Sequence, residues 1–200
     1  MKIYKIIVIF LLLSGCIPIM INENNYRGLP KEAFKYIKSF TPELVNKEVN
    51  NTDSLFLYEI NTKDIKLVTQ KEKFTWIHLW RPFCHAEICQ NVDYFGNLAE
   101  NYHYSGLKLL LISETYDFGD ISNVIKNSRY NHPVFVLQDN FYGHKILRNR
   151  HRLMEELNPE LLGTTKTGYD DYFFKDTILI KAGGEIDKSF LDSLMSIYQK

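Results

Sequence analysis

Four short apolar runs most constrain how this chain can fold. They occupy residues 76–80, 109–112, 134–137 and 177–180. Apolar residues at helical spacing separate the first run from the second and the second from the third. Because buried strands that alternate with helices pack into a sheet covered on both faces, we predict an α/β fold with a central mixed sheet flanked by helices.

Further elements are predicted at both ends of this sheet. Pro30 opens a helical pattern, and residues 55–60 and 65–68, separated by a polar tetrapeptide, predict a β-hairpin. The last apolar run meets Gly183-Gly184, which predicts a tight turn in an antiparallel pair that closes the sheet. An amphipathic helix is predicted after it, at the end of the chain.

Residues 139–173 separate the third and fourth runs and predict a helical insertion. The segment carries a cluster of basic residues: His144, Lys145, Arg148, Arg150, His151 and Arg152. One interpretation is a docking surface for an acidic partner. We favour a solvated helix face, because charged stretches of a helix usually face water.

The first sixteen residues have the features of an export signal. Lys2 and Lys5 precede an unbroken apolar run over residues 6–13, which is far shorter than the ~20 residues that a membrane-spanning helix needs. Small residues then lead to Cys16. This ending resembles a bacterial lipobox, in which the signal is cut before the cysteine and the cysteine is lipidated, with palmitate among its acyl chains.

The lipobox resemblance implies where the protein resides. It divides the chain into a signal peptide at residues 1–15, a lipidated tether at 16–28 and one domain at 29–200. Two or more acyl chains hold a protein stably on a membrane, so we expect a domain anchored in the bacterial cell envelope, in the periplasm or outside the cell. The formal net charge of +0 gives no reason to expect a nucleic-acid partner.

Cys84 and Cys89 are the candidates for chemistry. If Cys16 carries lipid, these two remain as an even pair in a compartment where disulfides form. Cys84 follows a buried strand and a turn that contains Pro82, and it precedes a predicted helix. A helix N-terminus stabilises a thiolate and lowers its pKa, so the position predicts a redox-active or nucleophilic cysteine.

This part of the chain resembles the thioredoxin-like superfamily, in particular the envelope-anchored thiol–disulfide proteins of the TlpA/ResA kind. The resemblance covers residues 53–200. It rests on the predicted hairpin before the strand, the β-α-β order after it, and two sequence segments, Leu79-Trp80-x-x-Phe83-Cys84 and Gly184-Glu185-Ile186.

The resemblance implies a thioredoxin-like fold and a membrane-anchored thiol–disulfide oxidoreductase that acts on protein thiols and disulfides in the envelope. Cys84 would attack a substrate disulfide and Cys89 would resolve the mixed disulfide. His78 lies near the position of a buried acid in thioredoxins, which implies a role in proton transfer. Glu87 has a similar possible role, although we interpret it as a first-turn acid. No cofactor is implied.

The chain departs from the family pattern at two places. Cys-x-x-x-x-Cys replaces Cys-x-x-Cys, and five residues of a regular helix rise ~7.5 Å, beyond the ~7 Å Cα limit for a disulfide. A bond between Cys84 and Cys89 therefore requires Cys84 to lie in the turn before the helix or the first turn to distort. The family also has a cis-proline before the strand beside the cysteines, and the matching place, Lys175-Asp176, has none. A second alignment would equate Cys84 with the family's second cysteine; we favour the gapless one.

Three other functions fit parts of the sequence. A copper-binding protein similar to the Sco chaperones would use Cys84, Cys89 and His85 as ligands, since thiolates and imidazole suit copper. A peroxiredoxin-like peroxidase would use Cys89, seven residues after Pro82, with Ala86 at the position of that family's hydroxyl residue. The third is a non-catalytic thioredoxin-like lipoprotein that serves as a binding or scaffold module.

Replacing Cys16 with serine is expected to abolish lipidation, because serine lacks the thiol that carries the diacylated group. Palmitate labelling and membrane fractionation measure this, and Cys89→Ser is the matched control that should stay labelled. A Cys16→Ser protein that remained labelled and membrane-bound would contradict the lipobox interpretation.

Overall fold

A seven-stranded mixed sheet forms the centre of the protein in the computed structural model, which describes residues 23–51, 54–84, 91–184 and 186–198. The strands in chain order are β1 (Ile37–Ser39), β2 (Leu57–Ile60), β3 (Phe74–Trp80), β4 (Leu107–Ser113), β5 (Val134–Leu137), β6 (Asp171–Lys175) and β7 (Ile178–Ala182). Their order across the sheet is β1-β2-β5-β4-β3-β6-β7. The first five in this order run parallel, whereas β6 is antiparallel to β3 and β7 to β6.

Helices connect the strands. The α-helices of the described residues are α1 (Thr62–Lys71), α2 (Val92–Asn101), α3 (Phe118–Lys126), α4 (Asp139–Tyr142), α5 (Ile146–Leu157) and α6 (Lys188–Tyr198). Short 3-10 helices occupy Tyr26–Gly28, Lys31–Tyr36, Pro42–Asn46, His103–Ser105 and Pro159–Leu161.

The strands β3 and β4 are buried on both faces, as the apolar runs predict. Successive side chains of a strand point to opposite faces. Trp76 and Trp80 accordingly belong to one core cluster, together with apolar residues of α2, α3 and α6. Ile77 and Leu79 belong to the other, together with residues of α1 and α5. The α/β class and the central mixed sheet flanked by helices are therefore confirmed.

The predicted hairpin at residues 55–60 and 65–68 is wrong, because its second half is helix α1. Asn61 caps this helix: its side chain accepts the N–H groups of Lys63 and Asp64, and the Asp64 side chain accepts the N–H of Asn61. This reciprocal arrangement is a capping box, which stabilises a helix start rather than a turn. Ile65 and Val68 are buried on one face of the helix.

The fourth apolar run forms the edge strand β7 rather than a core strand. The buried strand beside β3 is β6, whose first three residues belong to the segment 139–173 that was predicted as a helical insertion. The turn between β6 and β7 is Asp176-Thr177, with Asp176 at φ +50°, a conformation that Asp tolerates better than most residues. Gly183-Gly184 follows β7 instead of forming this turn.

The described N-terminal part packs against the domain. Residues 23–28 were predicted as the end of a tether, but Asn24 is buried and its amide nitrogen donates to Asp139 and to the carbonyl of Gly143. The helix predicted after Pro30 is the 3-10 helix Lys31–Tyr36, which leads directly into β1.

Several predictions fall on other parts of the chain. The signal peptide, Cys16 and the start of the tether lie outside the described residues, as do His85, Glu87 and Cys89. Within the described ranges, no helix has the length and apolar character needed to cross a bilayer.

Replacing Asn61 with alanine is expected to lower the free energy of unfolding by about 1 kcal/mol, because two N–H groups of α1 lose their acceptor. Chemical denaturation followed by circular dichroism measures this. Lys63→Ala, an exposed change in the same helix, is the control and is expected to stay within about 0.5 kcal/mol of the parent. Equal stability of the two variants would contradict the capping role.

Candidate functional site

A cavity of about 580 Å³ lies beside the end of β3. Residues of β3 and α2 line it, together with Arg150 of α5, the segment before β6 and the segment after β7. Arg81 directly follows β3 and Glu114 directly follows β4. Because carboxyl ends of neighbouring parallel strands meet at one edge of a sheet, the fold brings these two charged residues together.

A histidine–aspartate pair lies in the cavity wall. His78 of β3 and Asp171 of β6 are directly opposite each other in the antiparallel pairing, so their side chains share one face. Nδ1 of His78 lies 2.8 Å from Oδ1 of Asp171, and each side chain is 12% exposed. Nε1 of Trp76 donates to the same oxygen at 2.7 Å.

The imidazole of His78 is fixed in orientation. Its ring centre lies 4.1 Å from that of Phe95 in α2. Asp171 accepts a hydrogen bond from Trp76 as well, so it is best described as a carboxylate that accepts from both neighbours. In the tautomer that donates from Nδ1 to Asp171, Nε2 of His78 is left as a hydrogen-bond acceptor.

Four charged side chains form a closed network at the cavity rim. Arg81 Nε donates to Oε2 of Glu114 at 2.9 Å. Arg150 Nη1 lies 2.9 Å from Oε1 of Glu114 and forms an ion pair with it, although this oxygen accepts no hydrogen bond among the described residues. Asp170 receives both Arg81 Nη2 and Arg150 Nη2 at 2.5 Å. The side chains of Glu114 and Arg150 are 1% and 5% exposed. Two cations thus balance two anions, with Glu114 and Arg150 buried and Arg81 and Asp170 partly exposed.

Burial and charge act against each other on Glu114. Loss of water raises the pKa of its carboxyl, and the guanidinium groups of Arg150 and Arg81 counter that effect. Behind the network, burial raises the pKa of Tyr172 to about 12, so this phenol stays protonated. Its hydroxyl oxygen accepts the N–H of Tyr169 at 3.2 Å.

Cys84 lies in a turn just beyond the end of β3. Its N–H donates to the carbonyl of Arg81 at 3.0 Å, which closes the turn that contains Pro82. Cys84 is disulfide-bonded. Both other cysteines of the chain, Cys16 and Cys89, lie outside the described residues.

Two of the predicted site residues, His78 and Cys84, belong to the part of the chain that the structure describes. His78 lines the cavity, whereas Cys84 is not among the described residues that do so. Phe83 instead lines a second pocket together with His144. His151 lies elsewhere on α5, beside Glu155.

Most of the basic cluster in residues 139–173 is neutralised within the chain. Arg150 is buried in the network described above, and Arg152 pairs with Glu156 and donates to the carbonyl of Phe141. Lys145 pairs with Glu23 at 2.6 Å. Arg150 and Lys145 therefore connect the insertion to residues outside it, which neither of the two sequence interpretations anticipated.

The sequence analysis did not identify Arg81, Glu114, Asp170 or Asp171 as site residues. A usable signal existed for Arg81 and Glu114, because each follows a predicted buried strand and such positions converge at the sheet edge. Asp170 and Asp171 gave no comparable signal, since β6 had not been recognised. Arg150 was noted, but only as part of a surface cluster.

Of the three proposed copper ligands, Cys84, His85 and Cys89, the structure describes only Cys84. Across residues 23–51, 54–84, 91–184 and 186–198, no group of three or more His, Cys, Asp or Glu side chains is arranged to hold a metal ion.

Comparison with known proteins does not assign the chain to a family. No protein-family model matches it, and no curated protein matches it either.

Replacing Glu114 with glutamine is expected to lower the free energy of unfolding by about 3 kcal/mol, because Arg150 loses a buried counter-charge. Urea denaturation measures the loss. Glu155→Gln on the exposed side of α5 is the control, and we expect a change of at most about 0.5 kcal/mol. A Glu114→Gln protein as stable as this control would show that the network contributes little.

Proposed function

We propose that the protein is a membrane-anchored thiol–disulfide oxidoreductase of the cell envelope, with Cys84 and Cys89 as its redox pair. The observation that carries the proposal is the disulfide at Cys84 in a turn at the carboxyl end of the central strand β3. Cys84 lies in a turn outside the described helices, which is one of the two arrangements that the wide cysteine spacing permits.

A thioredoxin-like fold is part of this proposal. Strand β3, helix α2 and the parallel strand β4 form the expected β-α-β unit after the cysteine segment. The antiparallel pair β6-β7 and helix α6 supply the closing hairpin and final helix. Strands β1 and β5 are additional to the elements on which the resemblance rests.

The proposed reaction consists of two thiol–disulfide exchange steps that transfer two electrons between the protein and its substrate. The Cys84 thiolate attacks one sulfur of a substrate disulfide and releases the other as a thiolate. The Cys89 thiolate then attacks Sγ of Cys84, forms the internal disulfide and releases the second substrate thiolate. Two electrons pass to the substrate, which takes up two protons, and the reverse sequence oxidises a substrate dithiol.

A second candidate, a non-catalytic binding module, is favoured by one observation. The strand beside β3 is β6, which begins at Asp171. The position of the cis-proline that precedes this strand in the thioredoxin-like family therefore corresponds to Asp170-Asp171. We had expected it at Lys175-Asp176. Both positions are acidic and both side chains are engaged, Asp170 with two arginines and Asp171 with His78. A substrate backbone would meet a charged, occupied segment there.

Disulfide reduction distinguishes these candidates. Cys84→Ser is expected to abolish reduction of a protein disulfide by the dithiothreitol-reduced protein, and Cys89→Ser is expected to accumulate a mixed disulfide that non-reducing electrophoresis detects. Cys16→Ser is the matched control and should keep the activity of the parent in solution. Full activity in Cys84→Ser would rule out the oxidoreductase.

The redox potential gives an independent measurement. Alkylation mass shifts across a glutathione series are expected to show a reversible pair with a potential above about −300 mV, as exchange-competent disulfides have. A bond that resists reduction throughout the series would favour the binding module.

A further inference from the structure

An unpaired acceptor lies in the wall of the cavity. Among the residues that the structure describes, no group forms a hydrogen bond with Nε2 of His78, although Nδ1 is bonded to Asp171. In the tautomer that donates from Nδ1 to Asp171, Nε2 has a lone pair and accepts hydrogen bonds. A ligand that donates a hydrogen bond would satisfy this nitrogen, and a ligand that can only accept would not.

The charges around the cavity select against charged ligands. Arg81 and Arg150 would attract an anion if they were unpaired, but Glu114 and Asp170 neutralise them within the network. Asp171 is likewise occupied by His78 and Trp76. Burying an uncompensated charge beside this balanced set would be costly, so the cavity suits a neutral molecule.

The remaining walls are aromatic and mostly apolar. Trp76, Trp80, Tyr94, Phe95 and Tyr169 line the cavity. Aromatic rings pack edge-to-face or offset against other rings, and the volume of about 580 Å³ falls in the range of about 300–1,000 Å³ that small-molecule sites occupy. Among neutral donors, a ring-bearing hydroxyl compound matches these walls better than an aliphatic alcohol.

We propose that this cavity binds a neutral aromatic molecule with a hydroxyl group, whose hydroxyl donates to Nε2 of His78 while its ring packs among the aromatic side chains. Asp171 is a positioning residue in this site, because it orients the imidazole. Cys84 is not part of this binding site, so binding of the ligand does not require disulfide exchange.

The chain carries its own spectroscopic probe for this site. It contains two tryptophans, Trp76 and Trp80, and both line the cavity. The purified protein is titrated with p-cresol, and with 4-methylanisole as a matched ligand in which a methyl group replaces the hydroxyl hydrogen. We expect saturable changes in tryptophan fluorescence with p-cresol and at least about tenfold weaker binding of 4-methylanisole, because one hydrogen bond is lost.

Two variants connect the discrimination to the imidazole. His78→Phe is expected to bind both compounds with equal affinity, since the acceptor is gone and an apolar ring remains against Phe95. His151→Phe, which removes an imidazole of α5 outside the cavity, is expected to keep the tenfold preference.

Two results on the parent protein would overturn the proposal without any variant. Equal affinities for p-cresol and 4-methylanisole would show an apolar cavity without hydrogen-bond recognition. Fluorescence that changes linearly with p-cresol and never saturates would show that the cavity is not a binding site. Retention of the preference in a folded His78→Phe protein would remove His78 from the recognition.

Discussion

The contacts of the buried Arg150 guanidinium hold together the segments at the carboxyl edge of the sheet. It contacts Glu114 at the end of β4 and Asp170 just before β6, and it also donates to the carbonyls of Thr167 and Gly168. One side chain of α5 thereby fixes the segment that leads into β6. Gly168 has φ +74°, and a Cβ there would lie 3.0 Å from the carbonyl oxygen of Arg150, so the approach requires glycine.

The position of the histidine–aspartate pair follows from this anchoring. Asp171 is the first residue of β6, immediately after the segment that Arg150 holds. The antiparallel register then sets it opposite His78, where it also receives Trp76. Burial of Glu114 and Arg150 carries a desolvation penalty, and the ion pairs with each other, with Arg81 and with Asp170 offset part of it.

The cavity and the turn that contains Cys84 both adjoin strand β3, and Arg81 contacts both of them. Its guanidinium belongs to the network at the cavity rim, while its carbonyl accepts the N–H of Cys84 at 3.0 Å. The turn that holds the disulfide-bonded cysteine thus begins at a residue whose side chain is itself fixed. His78 occupies the same strand on the face that packs against α2. The turn proposed as the redox site and the cavity proposed as the binding site therefore both adjoin strand β3 but use different residues.

Local sequence patterns predicted much of the secondary structure. The runs within β3, β4 and β5 were correctly read as buried strands, and helices α2, α3, α5 and α6 agree with apolar residues at helical spacing. The capping box of Asn61 and Asp64 was also present in the sequence, but it was interpreted as a hairpin turn. Periodicity did not reveal that β7 is an exposed edge and β6 the buried neighbour of β3, because burial depends on strand order.

What the sequence by itself determined was the α/β class, the central buried strands and the placement of Cys84 after one of them, since periodicity and strand endings are local properties. The tertiary structure alone decided which charges meet. His78 and Asp171 are 93 residues apart in the chain, and Arg81 and Asp170 are 89 apart. Such pairs depend on strand order, register and the position of α5, which are set by the packing of the whole sheet rather than by the residues beside each partner.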